Sequence, residues 1–206
     1  MLKFLRRWAT LIIFGGGVIA LDQTAKWFVT NRLAVGDSWD PIPAIAGFIR
    51  ITYSFNTGAA FGFLPQAAPF FLGLALITTV VFIITYPRLP ASALMSRIGI
   101  AMIIGGALSN ASDRLRLGHV VDFVHVQITP NFANISNFAD HAITIGVILL
   151  LIDQYRIEQR ELRERVEARE QNAPEGTMED GGAGPSTEPL PRIGLDERTE
   201  AKQPPG

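Results

Sequence analysis

Four long apolar stretches dominate the pattern of hydrophobic and polar positions along the chain. Residues 67–86 form twenty consecutive positions without a charge, and residues 98–112 form a second uncharged stretch. A membrane-spanning helix needs roughly 20 mostly apolar residues, so both stretches predict transmembrane helices. Two further apolar stretches carry charged residues only near their ends. We therefore predict four spans, at about residues 8–28, 67–86, 94–112 and 140–156.

The segments between these spans contain patterns typical of β-strands. Residues 30–66 alternate apolar and polar side chains around residues 48–53, where aromatic residues suit a membrane interface. Residues 113–139 hold a second candidate strand at 120–128. The sequence thus predicts a mainly α membrane protein with a small β-rich cradle formed by these two loops.

The distribution of charge separates a membrane body from a tail. Residues 1–152 contain ten basic residues and six acids, whereas the last 54 residues contain eight basic residues and thirteen acids. A soluble surface normally carries charges at about a quarter to a third of its residues, and the body lacks them. We expect residues 1–156 to form the membrane domain. Residues 157–206 form a charged tail, helical at first and disordered from about residue 172, where Pro, Gly and Glu accumulate.

Basic residues flanking the spans indicate the orientation, because cytoplasmic loops carry an excess of Lys and Arg. They precede the first span, occupy the loop between the second and third, and follow the fourth. Both termini are therefore predicted to be cytoplasmic, with loops 30–66 and 113–139 on the outer side. The N-terminal stretch also has features of a secretory signal peptide, but no small-residue cleavage pattern closes it, which favours an uncleaved span.

Four aspartates are predicted to gather on this outer side: Asp22, Asp113, Asp122 and Asp140. Asp22 lies about 21 Å along the first span at 1.5 Å per residue, close to the outer interface. Ionisable groups at membrane depth are costly and usually functional. An aspartate at a helix N-terminus can also serve only as a cap, which is the alternative for Asp140.

Neighbouring bases distinguish the four acids. Asp22 can pair with Lys26 one helical turn later, and the adjacent Arg114 and Arg116 offer Asp113 an ion pair.

Asp122 and Asp140 have no adjacent base and lie among apolar residues. Two carboxylates brought together in such surroundings share a proton. One can then act as a base on water while the other polarises a carbonyl group. The sequence makes this pair the best candidate for chemistry.

Five short motifs occur in order along the chain: DQTAK at 22–26, NTGAAFG at 56–62, GGALSN with DR at 105–114, VVDF at 120–123 and NFAD at 137–140. Their order and spacing resemble those of the lipoprotein signal peptidases, or type II signal peptidases, over about residues 5–156. The resemblance implies an aspartic peptidase of the bacterial inner membrane. Such an enzyme removes signal peptides from prolipoproteins, cutting before a Cys that carries diacylglycerol.

The resemblance also implies roles for particular residues. Asp122 and Asp140 would be the catalytic pair, and Asp22 and Lys26 would hold the outer elements. The remaining residues would support the pair or the substrate backbone: Asn56, Gly58, Asn110, Arg114 and Asn137.

The implied partners are diacylglyceryl-modified prolipoprotein signal peptides and membrane lipids, without nucleic acid. The enzyme would act as a monomer without a cofactor or metal.

Three positions depart from the usual family pattern. Ser109 stands where Gly is usual, so it should crowd a close helix contact. Ser136 replaces a common Phe, and His141 follows Asp140 where a small residue is usual. These departures affect the expected substrate fit and pH response, not the reaction class.

Two other functions fit parts of the sequence. His119, Asp122 and His125 recur every three residues and, with His141, could form a metal site of a metallopeptidase, although no HExxH motif is present. Polar residues within spans also occur in transporters, for which carboxylates near the bilayer midplane are expected. A scaffold without chemistry would explain the spans but not the clustered acids.

The absence of Cys excludes disulfides and cysteine nucleophiles.

Overall fold

The computed structural model of the chain describes residues 8–58, 68–90, 92–129 and 132–171. Within these ranges, four helices are long and apolar enough to cross a membrane, which confirms the predicted number of spans. They are α1 (Trp8–Arg32), α2 (Ala68–Thr85, continued by a 3-10 turn to Arg88), α3 (Leu94–Leu117) and α4 (Phe138–Gln171).

Two helices extend further than predicted. Helix α1 continues to Arg32 instead of ending near residue 28, and α3 continues to Leu117 instead of ending near residue 112. The last turn of α3 therefore includes residues that were expected to lie in the loop. The helix stops at Gly118, whose φ of 77° lies in the left-handed region that favours glycine after a helix.

Helix α3 is the central helix of the bundle. Its most apolar part is 72% buried, against 6% to 17% for the other three helices, so α3 packs against protein along most of its length while the other three helices are largely exposed. A Cβ atom on Gly105 would lie 2.5 Å from the carbonyl oxygen of Gly15 in α1, and one on Gly99 would lie 2.6 Å from that of Gly146 in α4. Small residues let membrane helices approach this closely.

A four-stranded antiparallel sheet connects the helices on one side, in the order β1-β2-β3-β4. The two central strands, β2 and β3, correspond to the strands predicted near residues 48–53 and 120–128, whereas β1 and β4 were not predicted. The strands are β1 (Ser38–Trp39), β2 (Ile49–Asn56), β3 (Val120–Thr129) and β4 (Phe132–Ser136).

A bulge in β2 lies beside Asp122. Ile51 pairs with Val124 and Ser54 with Asp122, so three steps along β2 oppose two along β3. A bulge bends its strand and changes the direction of nearby side chains. At the start of β3, residues 120–123 are all buried, so Asp122 lies in an apolar setting.

The chain divides into one compact unit of residues 1–164 and a second of residues 165–206. The candidate site lies entirely in the first. In the second unit, the structure describes the helical residues 165–171. The segment predicted to be disordered, from about residue 172, lies outside the described residues.

Candidate active site

Asp140 lies in the first turn of α4, where Asn137 caps the helix. Asn137 Oδ1 accepts the backbone N–H of Asp140 at 3.0 Å, and Asp140 Oδ2 accepts the backbone N–H of Asn137 at 3.3 Å. This reciprocal pair is a capping box, and a carboxylate is favourable at a helix N-terminus. A Cβ atom on Gly106 would lie 2.5 Å from the carbonyl oxygen of Ala139, so α3 touches α4 immediately before Asp140. Asp140 therefore takes part in the cap, and the cap fixes its position.

Asp122 lies in β3 and is only 4% exposed, so protein groups rather than water must supply the hydrogen bonds to its carboxylate. Its Oδ1 accepts a hydrogen bond from Asn137 Nδ2 at 2.6 Å, and its Oδ2 accepts one from Asn56 Nδ2 at 3.3 Å. Asn56 is itself held by Gly58, whose backbone N–H donates to Asn56 Oδ1 at 3.0 Å. These contacts join Asn56, Gly58 and Asn137 to one carboxylate.

Asn137 connects the two aspartates, because its amide nitrogen donates to Asp122 while its amide oxygen accepts from Asp140. The structure thus brings together the two acids that lack adjacent bases. Burial, helped by the charge of Asp140, raises the pKa of Asp122 to about 7, against the hydrogen bonds from Asn137 and Asn56 and the charge of Lys26. Asp122 therefore changes its protonation state near neutral pH, as expected of a pair that shares a proton.

Asn110 links Asp140 to a buried cation. Its Nδ2 donates to Asp140 Oδ1 at 2.8 Å, and its Oδ1 accepts from Lys26 Nζ at 2.9 Å. Lys26 also contacts Asp22 and Asp113, each at 2.7 Å. The predicted pairing of Asp22 with Lys26 is confirmed.

The predicted pairing of Asp113 with Arg114 or Arg116 is wrong. Adjacent residues of a helix point in different directions, so Asp113 reaches Lys26 of α1 while Arg114 lines a cavity on another side of α3. Arg116 Nη1 donates instead to Gln23 Oε1, at 3.4 Å.

Asp22 and Asp113 also hold the backbone close to the candidate pair. Asp22 Oδ1 accepts the N–H of Ala139 at 3.0 Å, and Asp113 Oδ2 accepts the N–H of Val121 at 3.2 Å. Each of these amides belongs to the residue just before an aspartate of the pair. All four acids predicted to gather therefore belong to one connected network.

A cavity of about 280 Å³ opens beside Asp140. Arg114 lines it, with its guanidinium 5.6 Å from the ring centre of Phe71 and Nη1 donating to the backbone oxygen of Asn110 at 3.4 Å. The Nε of Arg114 is buried and has no hydrogen-bond partner within the described residues. The cavity is mostly apolar and lies between α2, α3 and α4, lined by Phe71, Leu74, Ala75, Thr78, Ile103, Ala107, Asn110, Arg114, Asp140 and Ile143.

Sequence comparisons identify the family to which this arrangement belongs. A family model for signal peptidase (SPase) II matches residues 11–156. The lipoprotein signal peptidase of Acinetobacter baylyi is 40% identical over 159 residues, which cover 74% of this chain and 87% of the relative. That of Moorella thermoacetica is 38% identical over 133 residues, which cover 65% of this chain and 84% of the relative. The chain belongs to the signal peptidase II family.

Two solved structures of bacterial membrane enzymes, both determined by the in meso method, share the fold of this signal peptidase II family member. The structure at 2.3 Å resolution is 29% identical, has a TM-score of 0.64, and covers 83% of this chain and 95% of its own. The structure at 1.9 Å resolution is 34% identical and has a TM-score of 0.62. The match covers 70% of this chain and 91% of the chain in that structure. The helical bundle and sheet therefore have experimental counterparts.

The geometry does not support the alternative metal site of a metallopeptidase. Successive residues of a strand point to opposite faces, so a three-residue spacing separates Asp122 from His125. His125 Nδ1 lies 2.9 Å from Thr52 Oγ1 instead. Across the described ranges, no group of three His, Asp or Glu side chains is placed so that it could hold a metal ion.

The three residues that were expected to depart from the family pattern all lie near the site. Ser109 is fully buried where α3 packs closely against α1, and its hydroxyl donates to Asp22 Oδ2 at 2.7 Å. Ser136 Oγ and His141 Nε2 lie 3.3 Å apart, so the other two departures contact each other beside the start of α4.

The sequence did not reveal roles for Gln23 or for the Ser109 hydroxyl. Gln23 Nε2 donates to Ser109 Oγ at 3.0 Å and to Asp113 Oδ1 at 2.9 Å. The only indication of a role for Gln23 in the sequence was its position inside the DQTAK motif. A motif does not indicate which of its side chains faces a neighbouring helix.

Proposed function

We propose that this chain is a lipoprotein signal peptidase in which Asp122 and Asp140 form the catalytic pair that cuts the signal peptide from prolipoproteins. The observation that carries the proposal is the hydrogen bonding of both aspartates to Asn137, in a member of a family of aspartic peptidases. The pKa of Asp122, raised to about 7, supports a shared proton at physiological pH.

The reaction follows from one proton held between two carboxyl groups. The ionised carboxylate removes a proton from water as the water oxygen attacks the carbonyl carbon of the scissile peptide, and the protonated carboxyl donates to the carbonyl oxygen. A tetrahedral diol results. As the diol collapses, the carboxyl that took the proton from water donates it to the leaving amine and the carbon–nitrogen bond breaks. The other carboxylate removes a proton from a diol hydroxyl, which forms the new carboxylic acid and restores the single proton of the pair. No covalent intermediate forms.

Neighbouring polar residues support the two reacting groups in this scheme. Asn56 and Asn137 orient Asp122, and Asn110 orients Asp140. Arg114 lines the adjacent cavity and retains a buried donor, Nε, which we assign to a backbone carbonyl of the substrate. Gly58 acts through Asn56.

The mostly apolar cavity between α2, α3 and α4 suits an apolar signal peptide that ends at the pair. Its lining is aliphatic and aromatic except for Thr78 and for a polar group formed by Asp140, Asn110 and Arg114. We place the scissile bond at this polar end. The diacylglyceryl chains of the modified Cys would extend laterally between the spans into the surrounding lipid.

Contacts at the ends of the predicted spans support the proposed topology. Trp8 at the start of α1 stacks on Tyr86 just after α2, with ring centres 5.5 Å apart. Arg156 Nη1 contacts Met95 Sδ at the start of α3, at 3.1 Å. These contacts lie beside the basic residues that flank the predicted spans, away from the four aspartates of the connected network.

We therefore propose a multi-pass protein of the bacterial inner membrane with both termini cytoplasmic and the pair at the outer face. Residues 1–156 would be the peptidase domain and residues 157–206 a cytoplasmic tail. The enzyme would act as a monomer among membrane lipids.

The decisive experiment is cleavage of a diacylglyceryl-modified prolipoprotein by the purified full-length protein. We expect Asp122→Asn and Asp140→Asn each to lose about a thousandfold in rate, within the range for removal of an acid or base. The matched control is Asp40→Asn, a half-exposed aspartate whose ion pair with Arg50 is long, at 3.8 Å.

Two outcomes would count against the proposal. Full activity in either variant of the pair would exclude that residue as catalytic. Equal cleavage of the precursor without its diacylglyceryl group would leave the aspartic pair in place but exclude specificity for modified prolipoproteins.

A further inference from the structure

A closed ring of five hydrogen-bonded side chains joins α1 to α3 next to the candidate pair. Four of its members are almost fully buried, with exposures of 0% to 3%. The ring runs from Asp22 to Lys26 (2.7 Å), Asp113 (2.7 Å), Gln23 (2.9 Å), Ser109 (3.0 Å) and back to Asp22 (2.7 Å).

The ring reaches the pair through the backbone. Its two carboxylates accept the N–H groups of Ala139 and Val121, which belong to α4 and β3. Each N–H belongs to the residue preceding an aspartate of the pair. Movement of either ring carboxylate would therefore move one member of the pair relative to the other.

Ser109 supplies a hydrogen bond that the rest of the ring cannot replace. The three N–H bonds of the Lys26 ammonium are already directed at Asp22, Asp113 and Asn110. One ammonium faces two buried carboxylates, so their remaining oxygen lone pairs require neutral donors. The Ser109 hydroxyl donates to Asp22 and accepts from Gln23, which closes the ring.

We propose that Ser109 is a positioning residue for the catalytic pair, holding Asp22 so that Asp22 fixes the backbone before Asp140. The inference rests on the proposed function of Asp122 and Asp140. Ser109 contacts no reacting group. Its effect is expected in the rate of the chemical step rather than in substrate affinity.

The test compares two Ser→Ala variants on the same helix. Ser109→Ala opens the ring. Ser96→Ala is the matched control, because Ser96 is also buried on α3 and lies at the opposite end of that helix from Ser109. Its hydroxyl also donates to a carboxylate, that of Asp153. Both lose a serine–carboxylate hydrogen bond, so both should lower thermal stability to a similar extent.

We expect Ser109→Ala to lower kcat about tenfold with KM changed less than about twofold, as for loss of transition-state stabilisation alone. Amide hydrogen exchange at Ala139 should accelerate, because its acceptor Asp22 is less restrained. Ser96→Ala should leave kcat and this exchange rate unchanged. Gln23→Met, which opens the ring at the next link, should reproduce both effects of Ser109→Ala and serves if that variant does not fold.

Equal kcat values for Ser109→Ala and Ser96→Ala, or an unchanged exchange rate at Ala139, would overturn the positioning role. These results differ from failure of the proposed function, which would show as full activity in Asp122→Asn or Asp140→Asn. The exchange measurement does not depend on activity. It therefore tests the ring even if the pair is not catalytic.

Discussion

The side-chain amide of Asn137 donates a 2.6 Å hydrogen bond to the carboxylate of Asp122. The same side chain caps α4, where its oxygen accepts the N–H of Asp140. A single asparagine thus connects a strand carboxylate to a helix carboxylate. The cap fixes Asn137, and Asn137 fixes the separation of the two acids.

Replacing Asn137 should therefore affect stability and activity together. We expect Asn137→Ala to destabilise the protein by about 1 kcal/mol through loss of the cap and to lower the cleavage rate about a hundredfold through misplacement of the pair. Thermal unfolding and a prolipoprotein cleavage assay measure the two effects. Asn134→Ala, a half-buried asparagine of β4, is the control. Wild-type cleavage by Asn137→Ala would show that the pair does not depend on this bridge.

Cleavage should decline as the pH rises above about 7. The pKa of Asp122 is raised to about 7, so we expect the proposed catalytic pair to lose its shared proton through this range. Without that proton, no carboxyl group can donate to the substrate carbonyl oxygen. The measurement is a profile of kcat/KM from pH 5 to 9. A rate that stays constant up to pH 9 would contradict a proton shared at Asp122.

Asp122→Asn should be more stable than the wild type at pH 8. The raised pKa of Asp122 means that the folded state binds a proton that the unfolded state releases above about pH 4, so the wild type loses stability as the pH rises from about 4 to 7. Asparagine has no charge to bury. The difference in Tm should be largest above pH 7 and should shrink toward pH 4. Asp40→Asn, at a half-exposed site, should show no such trend, and equal Tm values for Asp122→Asn and wild type at pH 8 would contradict the burial cost.

Gly106→Ala should disrupt the contact that places Asp140. The new Cβ would lie 2.5 Å from the carbonyl oxygen of Ala139, closer than any normal contact, so α4 must shift. We expect a loss of about 1 to 3 kcal/mol in stability and at least a tenfold loss in cleavage. Gly73→Ala in α2 is the control, because its Cβ would meet nothing within 4 Å. An active, stable Gly106→Ala protein would mean that the contact does not set the position of Asp140.

The number of membrane spans could be predicted from the sequence, because the length of an uncharged stretch depends only on consecutive residues. The sequence also predicted β2 and β3, since side-chain alternation is local, and it made Asp122 and Asp140 the candidate pair because they lack adjacent bases. The short strands β1 and β4 carry too few residues to show alternation.

The partners of the polar groups, in contrast, depend on how the helices pack. Asp113 has Arg114 next to it in sequence but Lys26 next to it in space, because neighbouring residues of a helix point in different directions. Ser109 was expected only to crowd a contact, yet its hydroxyl meets Asp22 because Gly105 and Gly15 bring α3 against α1. A hydrogen bond across two helices depends on their distance and rotation, and a linear sequence specifies neither directly.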